Sequence, residues 1–378
     1  MKVIIAIDSF KGSISSIEAG NCAKEGVERV YKNANTIVLP IADGGEGTVD
    51  ALVNGLNGKT QKVKVKNPLG KEIVAEYGIA NDTAIIEMAT ASGITLLKKE
   101  ELNPKVTTTY GVGEMINDAI EKGFRNFIIG IGGSATNDGG VGMLQALGFE
   151  FKDSLGNEIG YGAESLKDLD KIIIKNANPK LKDCVFNVAC DVTNPLCGES
   201  GCSFVFSPQK GSKKEDIPLM DNWLKNYAEK TASIVGKDYS FEKGAGAAGG
   251  LGFAFMAYLN AKLKSGIELV LNEIALESHV KDCDIVITGE GKIDSQTIMG
   301  KAPIGVAKIA KKYNKPVFAF CGCLDDSYKV CNDYGLDAIF SIVRGAISLE
   351  KAMEKETAKK NLTNTVEQVL RAYKTAKN

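Results

Sequence analysis

The sequence predicts an α/β protein of two domains. One is a discontinuous doubly wound parallel-sheet domain of flavodoxin or Rossmann type, and a second α/β domain is inserted into it. Three observations predict this. The 378 residues exceed the ~250–300 at which a single hydrophobic core usually stops growing. The first 60 residues alternate apolar strand-like runs with helix-like runs, as in a parallel sheet covered on both faces. The same rhythm returns from residue 284 after a long stretch of different pattern.

Taken in order, KVIIAID reads as a strand. SSIEAGNCAKEGVERVY follows as a helix opened by a capping box of Ser15 and Glu18. NTIVLPIAD and GTVDALVNGL repeat the pair. Between residues 61 and 100, QKVKVKNPLGKEIVAEYGI alternates with period 2 around an Asn-Pro-Leu-Gly turn, which predicts a hairpin. The middle holds a helix over 109–122, a strand-turn-helix around GIGGSATNDGG, a strand in CVFNVACDV and a helix over 215–235. FAFMAYLNAKL reads as a further helix. DIVITG, KAPIGVAKIAKKY, PVFAFCG and DAIFSIV then restore the βα rhythm. The last helix carries Leu362, Val366, Val369, Leu370 and Tyr373 on one face. The expected domains are 1–60 with 276–378, and 61–275 between them.

The net charge of −1, from 46 basic and 47 acidic residues, argues against nucleic-acid and membrane-surface partners, which need a basic excess. No segment approaches the ~20 apolar residues of a membrane span, and MKVIIAIDSF is too short an apolar run for a signal peptide. The 9 cysteines form no metal-type CxxC pair, since Cys321-Gly-Cys323 has the wrong spacing. They read as buried thiols of a reducing cytoplasm. A single histidine, His279, excludes a His-rich zinc site.

Several Gly-rich, acid-containing clusters stand where predicted strands end, the edge at which open α/β sheets bind ligands. ADGGEGT sets Asp43 and Glu46 around Gly44 and Gly45, as a tight turn or as a substrate or Mg²⁺ site. GEGKID repeats the idea with Glu290 and Asp294, and CDVTNPLCG places Asp191 and Asn194 after another strand. DSFKGS offers Lys11 with Ser9 and Ser13, and SPQKGS offers Lys210. A second glycine run, GAGAAGGLG with Gly249 and Gly250, reads as a phosphate loop or a close helix contact. Together, uncovered N–H groups, two lysines and several carboxylates suit a phosphate-rich, metal-bound ligand. Gly58-Lys59-Thr60 is not a P-loop, because Val53 stands where that motif needs glycine. GIGGSATNDGG likewise lacks the nicotinamide fingerprint.

In order, DSFKGS, ADGGEGT, GIGGSATNDGG, CDVTNPLCG, PQKG, GAGAAGGLG and GEGKIDSQT…GKAPIGVA resemble the bacterial glycerate kinases of type 1, over residues 4–310. Departures are small: Ile7 replaces an expected proline, and Cys202 and Ser207 replace small residues. The resemblance implies ATP-dependent phosphorylation of D-glycerate with Mg²⁺, in the cytoplasm, by a two-domain enzyme with its site in the cleft. It implies the 2-hydroxyl as acceptor, and a homodimer is the candidate assembly.

On that basis Gly132, Gly133, Ser134, Thr136 and Asp138 of the glycine loop are expected to bind phosphate or substrate. So are Ser9, Ser13, Asp43, Gly44, Gly45, Glu46, Asn194, Gly249 and Gly250. Asp191 is expected as the base, Lys11 and Lys210 as catalytic cations, and Glu290 and Asp294 as metal ligands. The alternatives are a kinase for another small hydroxy acid, 3-phosphoglycerate as product, or a non-catalytic nucleotide or sugar-acid sensor. A dehydrogenase ranks behind these.

Overall fold

A computed structural model describes residues 1–377. Its strands are β1 (Lys2–Ile7), β2 (Asn35–Val38), β3 (Lys59–Lys66), β4 (Glu72–Ala80), β5 (Thr83–Glu87), β6 (Asn126–Gly130) and β7 (Glu150–Lys152). They continue as β8 (Lys171–Ile173), β9 (Val185–Ala189), β10 (Lys262–Lys264), β11 (Ile285–Ile293), β12 (Val317–Leu324) and β13 (Ala338–Ser341). The chain divides into two compact units. The first comprises Met1–Asp43, Asp50–Gly58 and the chain from Ile267 on; the second comprises Gly44–Val49 and Lys59–Gly266.

The first unit holds a parallel sheet in the order β13-β12-β11-β1-β2. Numbered within the unit, that is the flavodoxin-like order 2-1-3-4-5, whose switch point lies between its first and third strands, here β1 and β11. Ser15 Oγ accepts the Glu18 N–H at 3.3 Å while the Glu18 carboxylate accepts the Ser15 N–H at 3.1 Å, so the capping box forms. The helix it opens, Ser16–Val30, buries Ala19, Ala23 and Val27 beside Leu362, Val366 and Leu370 of the helix Lys355–Lys377. A Cβ at Gly26 would lie 2.6 Å from the Thr363 carbonyl oxygen, which is why glycine stands there. Val369 and Tyr373 sit at the margin of this core, only partly buried. The helix Ala302–Lys312 packs on β1, β11 and β12.

Two strands differ from the sequence reading. NTIVLPIAD forms a strand only over β2, and its pairing with β1 ends at the Leu39 N–H on the Ile5 carbonyl, since Pro40 offers no N–H to a ladder. DIVITG does not end at its glycine: β11 continues through Glu290 and Lys292, which stand in register with Cys321 and Cys323 of the equally long β12. GEGKI is therefore strand rather than loop, and only Asp294 follows it.

The second unit holds a mixed sheet in the order β10-β9-β6-β5-β4-β3. The predicted hairpin is β3 and β4, closed by the Gly70 N–H on the Asn67 carbonyl at 2.9 Å with Gly70 at φ +75°. β5, β6, β9 and β10 run parallel and carry their C-terminal ends to one edge. Phe127 and Phe186 stack at 4.8 Å near the starts of β6 and β9. The helix predicted over FAFMAYLNAKL stops at Leu259, where Asn260 turns to φ 48°, and Lys262–Lys264 becomes an edge strand. Among the described residues no helix is long and apolar enough to cross a membrane, and the cysteines are free thiols, buried at Cys202, Cys283, Cys321 and Cys331 and exposed at Cys323.

Candidate active site

In the first unit, charged side chains gather at the switch point. Asp8 follows the last residue of β1, is 4% exposed, and accepts the Ser9 N–H at 2.6 Å. The chain then makes a tight loop in which Phe10 and Ile14 exchange backbone hydrogen bonds around Gly12 at φ +77°. Lys11 at its tip reaches the Asp43 carboxylate at 3.7 Å. Ser9 is half-buried, and the Ser13 hydroxyl is buried with no hydrogen-bond partner. Glu290 accepts the Thr297 hydroxyl at 2.7 Å and has the Lys301 ammonium 4.0 Å away.

Burial pushes the Asp8 carboxyl up to about 7, with the negative charges of Asp43 and Glu290 adding to the effect and Lys11 opposing it. Burial also raises Glu290, against Thr297 and Lys301. The charge of Asp43 thus works to raise both Asp8 and Glu290, and carboxylates crowded in this way favour a shared cation. Among the described residues no three His, Cys, Asp or Glu side chains converge to hold a metal unaided, but Mg²⁺ needs only one or two carboxylates beside phosphate oxygens. Glu290 and Asp43 fit that demand. Asp294 does not: it pairs with Lys292 at 3.1 Å and caps the following turn through the Gln296 N–H at 2.9 Å. Burial works against its charge, yet Lys292, the Gln296 N–H and Lys301 together lower it.

In the second unit, GIGGSATNDGG leaves the end of β6. Gly132 and Gly133 are exposed, Gly133 at φ +73°, and Ser134 is half-buried. Lys210, 2% exposed, donates to the Ser134 hydroxyl at 2.8 Å and to the Thr136 carbonyl at 2.7 Å. Burial lowers the ammonium to about 8, against the opposing pull of Cys202 and Asp138. Lys210 therefore sits beneath the loop, not in a solvated turn.

Four residues expected at phosphate lie behind the loop surface. The Asp138 carboxylate is enclosed and accepts the Thr109 N–H and hydroxyl, both at 2.8 Å, and the Gly140 and Gly142 N–H groups at 3.2 and 3.3 Å. Thr136 is fully buried with its hydroxyl unpartnered. Gly249 and Gly250 are buried against the loop itself: a Cβ on Gly249 would strike the Thr136 carbonyl, and one on Gly250 would lie 2.7 Å from Gly139 Cα. Their bareness serves backbone-to-backbone packing.

The remaining expected residues divide. Gly44, at φ +90°, packs beside Ala189 and Gly266; Gly45 lies beside Gly132, and Glu46 is exposed. Asp191 lies past the end of β9, with Cys190 between, is exposed, and accepts the Gly266 N–H at 3.1 Å. Asn194 holds its own turn, donating to the Ser200 carbonyl at 2.8 Å and accepting the Gly246 N–H at 3.0 Å.

The sequence reading passed over two carboxylates. Asp8 and Glu87 each close an apolar strand run, the signal that singled out Asp191. Glu87 is 9% exposed and accepts the Val49 N–H at 2.8 Å.

The chain matches a family model, the glycerate kinase family, over residues 3–374. The chain belongs to the glycerate kinase family. A glycerate 2-kinase of Escherichia coli K12 is 50% identical over 354 residues, covering 93% of each chain. A glycerate kinase of Bacillus subtilis 168 is 45% identical, covering 100% of this chain and 99% of that one. The crystal structure of a Salmonella typhimurium LT2 protein, provisionally assigned as glycerate kinase 2, superposes with a TM-score of 0.92 at 44% identity, covering 100% of this chain and 99% of that one. Glycerate kinases are phosphotransferases.

Proposed function

We propose that this glycerate kinase transfers the γ-phosphoryl group of ATP to the 2-hydroxyl of D-glycerate, giving 2-phosphoglycerate and ADP in the cytoplasm. The observation that carries the reading is the Lys210 ammonium seated under an exposed glycine turn. Phosphoryl transfer is mainly positioning and charge neutralisation. Free N–H groups at Gly132 and Gly133 and the Ser134 hydroxyl are suited to phosphate oxygens, with the cation behind them. Mg²⁺ would neutralise phosphate charge, held by Glu290 and Asp43. The surface-facing Lys11 would pair with an anionic group of a substrate.

Asp191 is the proposed proton acceptor, as an exposed carboxylate at a strand end. Asp8 is a second reading, favoured by its burial and by a pKa of about 7, which suits a base at neutral pH. Phosphorus–proton correlation NMR on the product of D-glycerate and ATP tests the regiochemistry. The reading expects phosphorus coupled to the C2 proton, and coupling to the C3 protons would replace the 2-hydroxyl with the 3-hydroxyl.

A further inference from the structure

We propose that a cavity of the first unit, lined by the Asp8–Ser13 loop, Glu290 and the helix Lys355–Lys377, is an adenosine subsite, in which Asn361 reads the edge of the adenine ring. The inference rests on the ATP-dependent kinase reading above and adds where the nucleoside goes. The cavity has a volume of about 600 Å³, within the range of roughly 300–1,000 Å³ that encloses drug-sized ligands. A three-carbon acid would leave most of it empty.

Its lining is of two kinds. Lys11, Lys292 and Lys301 line it with Asp8, Asp43 and Glu290. Ile342, Val343, Ile347, Leu349 and Met353 add an apolar wall. Glycerate has no apolar portion to match that wall. A nucleoside triphosphate has both halves: an apolar base, and phosphates that seek lysine and Mg²⁺.

The wall is also unusually bare. Ile347 is 41% exposed, Leu349 75% and Met353 37%. Exposed apolar side chains grouped along a cavity mark a surface that a ligand covers. The Gly12 turn lies close against it, for a Cβ there would be 2.9 Å from Met353 Cε.

Asn361 lines the same cavity from the helix Lys355–Lys377. Its side-chain amide makes no hydrogen bond among the described residues, whereas its carbonyl accepts from Thr365. An amide offers one donor face and one acceptor face, the complement of the adenine N6 and N7 edge. Guanine presents two acceptors at that edge, N7 and O6, so the amide oxygen would meet an acceptor where adenine offers its N6 donor, which gives a reason to prefer ATP over GTP.

Cys323 provides a readout that needs no turnover, being an exposed thiol on the cavity wall. In the wild-type protein, a non-hydrolysable ATP analogue should slow iodoacetamide alkylation of Cys323, and D-glycerate alone should not. Protection by D-glycerate alone, or by neither compound, would overturn the subsite. An enzyme that phosphorylates glycerate while Cys323 stays unprotected keeps the kinase reading and loses this one. Protection by the analogue without glycerate phosphorylation does the reverse.

Two variants extend the test. Asn361→Leu should lower the ATP-over-GTP preference in kcat/KM about tenfold, as expected when a site loses a polar partner to its substrate. Ile347→Glu, in an exposed loop, should raise KM for ATP about tenfold with KM for D-glycerate and kcat little changed. Unchanged nucleotide kinetics in both variants would overturn the assignment.

Discussion

The Lys210 ammonium donates to the Ser134 hydroxyl at 2.8 Å, and the same nitrogen holds the Thr136 carbonyl at 2.7 Å. One buried cation thus fixes both flanks of Ala135 in the glycine loop. A lysine without a carboxylate partner in hydrogen-bond range is costly to bury, and its cost is offset where its field falls on an anion.

Lys210→Met should therefore reduce kcat/KM for ATP by about 10²-fold, with smaller change in KM for glycerate. The variant also carries a pH signature. The folded pKa of about 8 lies below the ordinary 10.5, so the unfolded chain binds more protons between these values and wild-type stability rises with pH there. This contribution is present above 10.5 and is lost as pH falls through 8. Denaturant titrations at pH 7 and 9 should show the wild type gaining on Lys210→Met by about 1 kcal/mol at the higher pH. A pH-independent difference would mean that the lysine is not buried charged.

Gly133 tests the loop's approach to phosphate. It is exposed at φ +73°, and an added Cβ would lie 3.3 Å from Ala89 Cβ. Gly133→Val should raise KM for ATP about tenfold or more while costing roughly 1–3 kcal/mol of stability from the strained φ. Steady-state kinetics beside a denaturation curve separate the two. Normal ATP kinetics would return the loop to a packing role.

The two carboxylate candidates are separable. Asp191→Asn should cut kcat by about 10²-fold with ATP binding little changed, in line with general-base contributions of about 10²–10⁴-fold. If Asp191→Asn keeps kcat within about threefold and Asp8→Asn loses about 10²-fold, the base is Asp8. Single-turnover rates with nucleotide binding measured in parallel decide between them.

Much of the fold could be read from local pattern. The Ser15 and Glu18 capping box, the Asn-Pro-Leu-Gly hairpin and the apolar face of Leu362, Val366 and Leu370 each depend on residues close in the chain. What escaped depends on distant partners. β11 runs on to Ile293 because β12 continues beside it, and no feature of DIVITGEGKI announces a neighbour of that length. Glycine composition signals close approach but not to what. Gly249 and Gly250 approach the loop at Thr136 and Gly139, a contact between segments more than a hundred residues apart. Asp8 looked like the end of a strand, because its burial depends on chain-distant neighbours such as Asp43 and Glu290.

The most direct test of the central claim is a coupled assay of ADP release from ATP and Mg²⁺ with D-glycerate, L-glycerate or no acceptor. Rapid ADP release with D-glycerate, slower release with L-glycerate and background release without acceptor is the predicted result. ADP release at the same rate with and without acceptor, or none with D-glycerate, would contradict it.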